Sequence, residues 1–339
     1  MHSSVDCSGR ASQVVLSILI PVFNVEAYLP ALLDKLLPNL PDQVEVIFYD
    51  DVSPDQSVAI IQQYQQLYSK THIKLLRGEK NIGITQVRQQ LLLASQAAYV
   101  WFIDSDDCVE AGAAEQILGI IGKCKPDVIL FDYDVFYDDG GLKYRETLSL
   151  APVNTLLTQK PGQLYCLAIM DGKHYFWNKV FLRKLVIDAC QFSIPAYEDI
   201  ANTPKILNLC QTYYYYSKTL IHYRIWSNSI VQKMSIKQAY GIEAYITQAI
   251  YARNVVRSRK CCAYLSYKAY IYYKRLCRKI IKSELPESVK YDFLDLSKKI
   301  YGQNPFSLAQ IIGSLLLSGM WGKAAKILVY AVLTRKLDC

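Results

Sequence analysis

Residues 16–22 read LSILIPV and residues 44–50 read VEVIFYD, and these two runs decide the fold. Both are short, apolar and rich in β-branched side chains, which is typical of strands buried on both faces of a parallel sheet. Between them, residues 26–37 carry leucines at helical spacing. A strand, a helix and a second strand in this order predict a βαβ unit with a right-handed crossover.

The same alternation continues toward the C-terminus. The predicted elements are a helix over residues 55–68, a strand over 73–76, a helix over 85–95 and a strand over 99–103. Repeated units of this kind predict an α/β domain with a mostly parallel central sheet flanked by helices. Ligands bind such sheets at the carboxyl ends of the strands, so the residues that follow the strands are the first candidates for a functional site.

Acidic residues follow two of the predicted strands. Residues 50–55 read DDVSPD after the second strand, and residues 104–107 read DSDD after the fourth. Helix capping alone would explain Asp55, but three carboxylates within residues 104–107 repel one another and require a neutralising positive charge. Oxygen ligands beside a nucleotide phosphate suit Mg²⁺ or Mn²⁺. A later acidic pair, Glu198 and Asp199, precedes a predicted helix, and stabilisation of the helix dipole is its alternative explanation.

The composition is that of a globular protein. Of the 339 residues, 52% are hydrophobic and 20% are charged, which excludes a disordered, collagen-like or coiled-coil chain. The ten cysteines include no CxxC pair, so we expect a reducing compartment. The polar start of the sequence lacks the pattern of a signal peptide, and we therefore do not expect secretion.

Charge divides the chain into two parts. Residues 1–200 hold 16 Lys and Arg against 24 Asp and Glu, whereas residues 201–339 hold 22 against 6. The basic part predicts an anionic partner, which on the residues alone is nucleic acid, phospholipid or a pyrophosphate-bearing substrate; a solvated basic surface is the alternative. Most tyrosines also follow residue 200, and tyrosine beside Lys and Arg is typical of a membrane interface.

The basic part has few helix-breaking residues and predicts a helical region. Residues 263–282 place apolar and basic side chains on opposite helical faces, which favours either an interfacial membrane helix or a helix packed on the preceding domain. Residues 306–322 carry no charge, but these 17 positions include three serines and three glycines and are too short to span a bilayer. We therefore expect helices that lie on an anionic membrane surface.

A series of segments, taken in order, resembles the motifs of the family 2 glycosyltransferases, which are inverting enzymes with the GT-A nucleotide-sugar fold. The segments are residues 21–24 (PVFN) with Glu26, residues 50–55 (DDVSPD), residues 81–83 (NIG) with Arg88, residues 104–107 (DSDD), residues 177–180 (WNKV), Glu198 with Asp199, and Tyr223 with Arg224, Ser227 and Ser229. Val52 stands where the family usually has glycine. The resemblance covers about residues 15–230 and does not extend to residues 235–339.

The resemblance implies a nucleotide-sugar site with a divalent cation. Its donor-binding residues would be Pro21, Phe23, Asp51, Arg88, Asp104, Ser105, Asn178 and Lys179. Asp51 would accept a hydrogen bond from the uracil N3–H of a UDP donor, and Pro21 and Phe23 would line the base pocket. Asp106 would hold the Mg²⁺ or Mn²⁺ ion that bridges the diphosphate.

The resemblance also implies a catalytic base. In an inverting transfer the acceptor hydroxyl attacks the anomeric carbon and must lose its proton near the transition state. Asp199 matches the position of the base in the family, and Glu198 is the reserve candidate.

These observations combine into one expected organisation. We expect an N-terminal tail over residues 1–14, a GT-A domain over 15–230, and a helical region over 231–339 that binds membrane or buttresses the first domain. The expected function is transfer of a hexosyl or N-acetylhexosaminyl group from a UDP donor to a glycan or lipid-linked acceptor in the assembly of a bacterial cell-surface glycan. The expected location is the cytoplasmic face of the cell membrane, with no nucleic-acid partner.

Two other functions stay open at this point. One is a catalytically inactive scaffold that binds nucleotide sugars, although the carboxylates that catalysis needs are present in the sequence. The other is a nucleotidyltransferase on a similar sheet, but the first predicted strand is not followed by the glycine-rich phosphate loop that such enzymes need.

Overall fold

The computed structural model describes residues 13–137, 140–225 and 234–333, which divide into two compact units. The first unit comprises residues 13–137, 140–159, 175–190 and 209–225, and the second comprises residues 160–174, 191–208 and 234–333. The predicted tail up to residue 12, the predicted domain boundary at residue 230, and Ser227 and Ser229 lie outside the described residues.

Strands and helices are numbered along the whole chain. The strands are β1 (Leu16–Val22), β2 (Val44–Asp50), β3 (His72–Arg77), β4 (Tyr99–Phe102), β5 (Cys108–Val109), β6 (Val128–Tyr137), β7 (Leu142–Glu146), β8 (Leu156–Thr158), β9 (Lys179–Leu182) and β10 (Thr212–Ile225). The helices are α1 (Leu29–Leu36), α2 (Ser57–Leu67), α3 (Ile84–Ala94), α4 (Ala113–Cys124), α5 (Gln163–Met170), α6 (Arg183–Ala189), α7 (Glu198–Leu209), α8 (Tyr240–Tyr251), α9 (Arg259–Ile281), α10 (Glu287–Gly302), α11 (Leu308–Leu317) and α12 (Trp321–Leu333).

All the described strands belong to one sheet of the first unit. Its order is β3-β2-β1-β4-β9-β6-β10-β5, with β7 beside β6 and β8 beside β10. The half made of β3, β2, β1 and β4 is parallel, as the repeated βα units predict. The other half is mixed, because β9 runs antiparallel between β4 and β6. The predicted α/β fold with a central sheet flanked by helices is confirmed.

The apolar runs that predicted the first strands form the core of this unit. Every residue of β1 is buried, and the leucines of α1 at helical spacing are buried with it. In register, Val22 lies opposite Asp50, so β1 and β2 end side by side. Each fully buried Leu or Ile side chain contributes about 1.5–3 kcal/mol, which fixes the loops that follow these strands at one edge of the sheet.

The described part of the second unit is helical, and α9 is its central element. The apolar face of α9 packs with α8 and α10 through Ala269, Tyr273, Leu276 and Ile280, and another stretch of α9 packs with α11 and α12. The amphipathic pattern of residues 263–282 is therefore explained by packing among neighbouring helices. The neighbouring helices cover this apolar face, and contact of the helical region with a membrane stays a prediction.

Helices α11 and α12 leave several large apolar side chains exposed. Leu317 is 74% exposed and Trp321 is 70% exposed, and Leu328 and Val329 are also exposed. Within the described ranges, no helix combines the length and the apolar composition that crossing a bilayer requires.

Candidate active site

The loops after β1 and β2 are joined by hydrogen bonds into one rim. The backbone N–H of Asn24 donates to Ser53 Oγ at 3.1 Å, and that of Glu26 donates to Asp55 Oδ2 at 2.9 Å. Asp55 therefore has a structural role that joins the two loops. Phe23 projects from this rim with half of its side chain exposed, whereas Pro21 is buried in β1.

Val52 occupies a strained backbone position in the same rim. Its φ is +65°, in the left-handed region that β-branched residues rarely adopt. This conformation gives a physical reason why glycine, which has no Cβ, is usual at this position of the motif. The exposed Val52 side chain lies in the loop that follows β2, directly after Asp51.

Asp51 is buried and bonded to the start of α3. Its Oδ1 accepts the backbone N–H of Ile82 at 2.7 Å, and its Oδ2 accepts that of Gly83 at 2.8 Å. These N–H groups precede α3, so the Asp51 carboxylate connects the end of β2 to this helix. Each oxygen retains a second lone pair, and the hydrogen bond to a uracil base that the resemblance implies stays a prediction.

Arg88 connects α3 to the acidic turn after β4. Its Nη2 donates to Asp104 Oδ1, and its guanidinium lies 5.6 Å from the centre of the Phe176 ring. The Arg88 side chain is almost completely buried, whereas Asp104 is partly exposed. In this structure Arg88 therefore binds an aspartate, and the contact with a donor that the resemblance implies for Arg88 stays a prediction.

The acidic turn, residues 104–107, concentrates negative charge at the carboxyl edge of the sheet. Asp107 is completely buried, and its Oδ2 has no hydrogen-bond partner among the described residues. Burial raises the pKa of Asp107 well above its usual range, and the neighbouring Asp106 and Asp104 raise it further. A cation beside this turn would therefore be stabilised. Ser105 is buried within the turn.

Arg224 holds the acidic turn from β10. Its Nε donates to the backbone carbonyl of Asp106 at 2.9 Å, and its backbone N–H donates to Asp107 Oδ1 at 2.9 Å. The guanidinium also lies over the rings of Tyr28 and Phe136, at 5.0 and 4.7 Å from their centres. Arg224 belongs to a motif that the sequence analysis quoted without giving this residue a role, because its hydrogen-bond partners in the turn lie more than a hundred residues away in sequence.

Stacked aromatic side chains lie beside the turn. Trp177 stacks between Tyr175 and Tyr223, with ring centres 4.8 and 5.4 Å apart, and Tyr133 meets it edge-on. Tyr223 directly precedes Arg224 in β10, so the aromatic stack is adjacent in sequence to the arginine that binds the acidic turn.

Asn178 and Lys179 follow Trp177 and point into the protein. Both are completely buried, and Lys179 Nζ donates to Asn178 Oδ1 at 2.6 Å and to the Tyr175 carbonyl at 2.7 Å. These contacts order the segment that carries Trp177. The contact with a donor that the resemblance implies for Asn178 and Lys179 stays a prediction.

The acidic turn fits a divalent cation that shares its coordination with a substrate. Among the described residues, no three His, Cys, Asp or Glu side chains group into a self-contained metal site. Mg²⁺ in substrate sites commonly takes only one or two protein carboxylates and completes its shell with phosphate oxygens and water. Asp106, which is partly exposed beside the unpartnered oxygen of Asp107, matches that kind of site.

The two candidate bases lie in the second unit, in the first turn of α7. Glu198 is buried, and its carbonyl accepts a hydrogen bond from Asn202 Nδ2 at 3.0 Å. Asp199 is partly exposed, and its Oδ1 accepts the backbone N–H of Ile200 at 2.7 Å. No partner for Asp199 Oδ2 occurs in the described part of the chain. Of the two carboxylates, Asp199 is therefore the one that solvent or a substrate can reach.

Known glycosyltransferases resemble this chain in sequence. The family model for glycosyl transferase family 2 matches residues 17–183. The chain is 29% identical over 248 residues to the putative glycosyltransferase EpsH of Bacillus subtilis, an alignment that covers 70% of this chain and 69% of that protein. It is 27% identical over 241 residues to a processive diacylglycerol beta-glycosyltransferase of Mycoplasma pneumoniae, which covers 68% of this chain and 70% of that protein.

A solved structure resembles most of the chain. It is that of S. aureus TarS residues 1–349 in complex with UDP-GlcNAc, which superimposes with a TM-score of 0.64 at 18% sequence identity. The superposition covers 92% of this chain and 90% of the TarS chain. This similarity shows the GT-A fold.

Proposed function

We propose that this chain is a family 2 glycosyltransferase and that it transfers a sugar with inversion from a UDP donor to a hydroxyl group. The observation that carries the proposal is the acidic turn of residues 104–107, with Asp107 buried and partly unpartnered and Asp106 at the edge of the sheet where ligands bind. The TarS structure with UDP-GlcNAc supports a UDP-sugar as the donor.

The residues of the first unit are suited to hold the donor. Asp51 fixes the rim in which Phe23 and Val52 are exposed, and these two apolar side chains would cover the base. Arg88 and Arg224 fix the acidic turn, so Asp106 would hold a cation beside the diphosphate without reorganising. A Mg²⁺ or Mn²⁺ ion at Asp106 would neutralise the charge that develops on the departing UDP.

The residue proposed to remove the acceptor proton is Asp199. Its Oδ1 is oriented by the Ile200 N–H, which leaves Oδ2 as the oxygen that accepts the proton. Glu198 is the reserve candidate, and its burial makes it the weaker one. Proton removal and attack on the anomeric carbon then occur in a single displacement, which inverts the configuration.

The acceptor proposed is a glycan or a lipid-linked saccharide of the bacterial cell surface. The diacylglycerol-modifying relative supports a lipid acceptor, and the exposed Leu317 and Trp321 support contact with a membrane surface. Apolar side chains of this kind enter the headgroup layer, and nearby lysines such as Lys323 and Lys326 add about 1 kcal/mol each on an anionic leaflet. We propose that the protein acts on the cytoplasmic face of the membrane.

The donor assignment is tested by UDP release. The protein is incubated with a panel of UDP-sugars in Mg²⁺, Mn²⁺ or EDTA, and released UDP is measured. We expect release that depends on the cation and that Asp106→Ala abolishes, while Asp188→Ala, which removes a carboxylate from α6, preserves it. Full activity in EDTA, or full activity of Asp106→Ala, would contradict the metal assignment.

The membrane assignment is tested by flotation with vesicles that contain anionic lipid. The double variant Leu317→Gln with Trp321→Gln should float less than the natural protein, because two exposed apolar side chains are lost. Leu67→Gln is the matched control, since Leu67 is 71% exposed in α2 of the first unit. Equal flotation of all three proteins would contradict the proposal that α11 and α12 contact the membrane.

A further inference from the structure

A cavity of about 360 Å³ lies in the second unit, between the segment that joins α8 to α9, the first turns of α9, and α11. Three arginines line it, namely Arg253, Arg257 and Arg259. Three serines also line it, namely Ser258, Ser266 and Ser314, and none of its eleven lining residues is acidic. The cavity therefore combines positive charge with hydroxyl groups and has no negative charge of its own.

The three guanidinium groups are not neutralised by the protein. Among the described residues, none of the three forms an ion pair with a carboxylate. Like charges gathered around one cavity repel one another, and an anion in the cavity relieves that repulsion. The guanidinium group is also the side chain best suited to bind the oxygens of a phosphate in pairs.

The backbone places these arginines in an unusual way. Residues Ala252–Val256 form a π-helical turn between α8 and α9, and such turns occur frequently at functional sites. Arg257 follows with φ of +55°, a left-handed conformation that is uncommon for arginine. The left-handed conformation of Arg257 ends the π-helical turn. Ser258, the next residue, is the N-cap of α9, so Arg257 and Arg259 lie on either side of this cap.

One wall of the cavity is apolar. Phe306 and Ile311 line it, and Arg253 lies 5.6 Å from the centre of the Phe306 ring. A volume of about 360 Å³ falls in the range of small-molecule sites. The cavity therefore offers space beside the arginines for the organic group that carries an anion.

We propose that this cavity binds a phosphate ester, with the phosphate on the arginines and the esterified alcohol against Phe306. The ester is either a soluble sugar or polyol phosphate or the headgroup of a phospholipid, and both present the same chemistry. This site is separate from the donor residues of the first unit, so it holds or fails independently of the proposed transferase function.

The test is isothermal titration of the full chain with sn-glycerol 3-phosphate, with UDP titrated separately as an independent readout. We expect Arg259→Gln and Arg257→Gln each to weaken glycerol 3-phosphate binding about tenfold or more, as the loss of a hydrogen bond to a charged group implies. Lys279→Gln is the matched control, because Lys279 is an exposed cation on α9 outside the cavity. UDP binding should be the same in all four proteins.

Vesicle flotation distinguishes the two sources of the phosphate. If the arginine variants lose binding both to glycerol 3-phosphate and to vesicles containing phosphatidic acid, the site takes a lipid headgroup. If they lose only glycerol 3-phosphate, the site takes a soluble ester. The proposal is overturned if the natural protein does not bind glycerol 3-phosphate, or if Arg259→Gln, at an exposed position where folding should not be affected, binds it as well as Lys279→Gln does.

Discussion

Replacing Arg224 by glutamine should destabilise the first unit and reduce turnover together. The side chain donates a charged hydrogen bond to the Asp106 carbonyl at 2.9 Å and lies over two aromatic rings. A hydrogen bond from a charged group contributes about 1.5–3 kcal/mol, and each cation–π contact at a partly exposed site contributes about 0.5–1 kcal/mol. Glutamine keeps the backbone hydrogen bond to Asp107, so we expect the free energy of unfolding to fall by about 3 kcal/mol.

The assay pairs urea unfolding with UDP release from the same preparations. Arg224→Lys keeps the positive charge but not the planar group, and we expect it to lie between the natural protein and Arg224→Gln. Arg145→Gln is the control, because Arg145 also binds an aspartate, Asp134, but is largely exposed and does not contact the acidic turn. We expect it to unfold and turn over nearly as the natural protein does.

Two results would refute this reasoning. If Arg224→Gln lowers the free energy of unfolding by less than about 1 kcal/mol, the contacts of Arg224 are not what holds the turn. If it is destabilised but releases UDP at the natural rate under conditions where it is folded, the position of the acidic turn does not control catalysis.

Three further changes test other parts of the site and its surroundings. Asp199→Asn should leave UDP affinity within a few-fold and lower turnover by about 10² to 10⁴, whereas Glu198→Gln should have a smaller effect; the reverse order would make Glu198 the base. Val52→Gly should raise the free energy of unfolding by about 1 kcal/mol, because glycine tolerates the positive φ, and a loss of stability in urea titrations would refute the strain. A hydrogen bond from the Cys261 thiol, 3.1 Å away, lowers the pKa of Cys166 to about 7. The thiolate is the reactive form, so the alkylation rate of Cys166, followed by mass spectrometry, should be half-maximal near pH 7 and fall as acid protonates the thiolate. In Cys261→Ala the midpoint should shift to higher pH, and an unchanged pH profile in that variant would contradict the assignment.

The parallel half of the sheet could be predicted from the sequence because its signal is local. The runs at residues 16–22 and 44–50 are apolar throughout, and the structure buries them as strands. The position of the antiparallel strand β9 between β4 and β6 could not be predicted. This strand has only four residues, which is too short for a periodic pattern, and it is distant in sequence from the strands that it pairs with.

The candidate site divides in the same way. The carboxylates of residues 104–107 could be recognised because three like charges need compensation wherever they lie. The part played by Arg224 could not, because its partner Asp106 lies 118 residues away in sequence. The strain at Val52 depends on its positive φ. The only sign of this angle in the sequence is that valine stands where the motif usually has glycine. For α9, an amphipathic pattern fits both a membrane surface and a helical neighbour, and only the structure identifies the neighbour.

The configuration of the first sugar released tests the central claim most directly. The protein is incubated with Mn²⁺ and a UDP-α-sugar in which UDP release has been detected, with water as the acceptor, and the anomeric proton of the free sugar is followed by NMR before mutarotation. The account predicts that the β-anomer appears first, that EDTA stops its formation, and that Asp199→Asn slows it. Appearance of the α-anomer first, at a rate indifferent to EDTA and to Asp199, would contradict it.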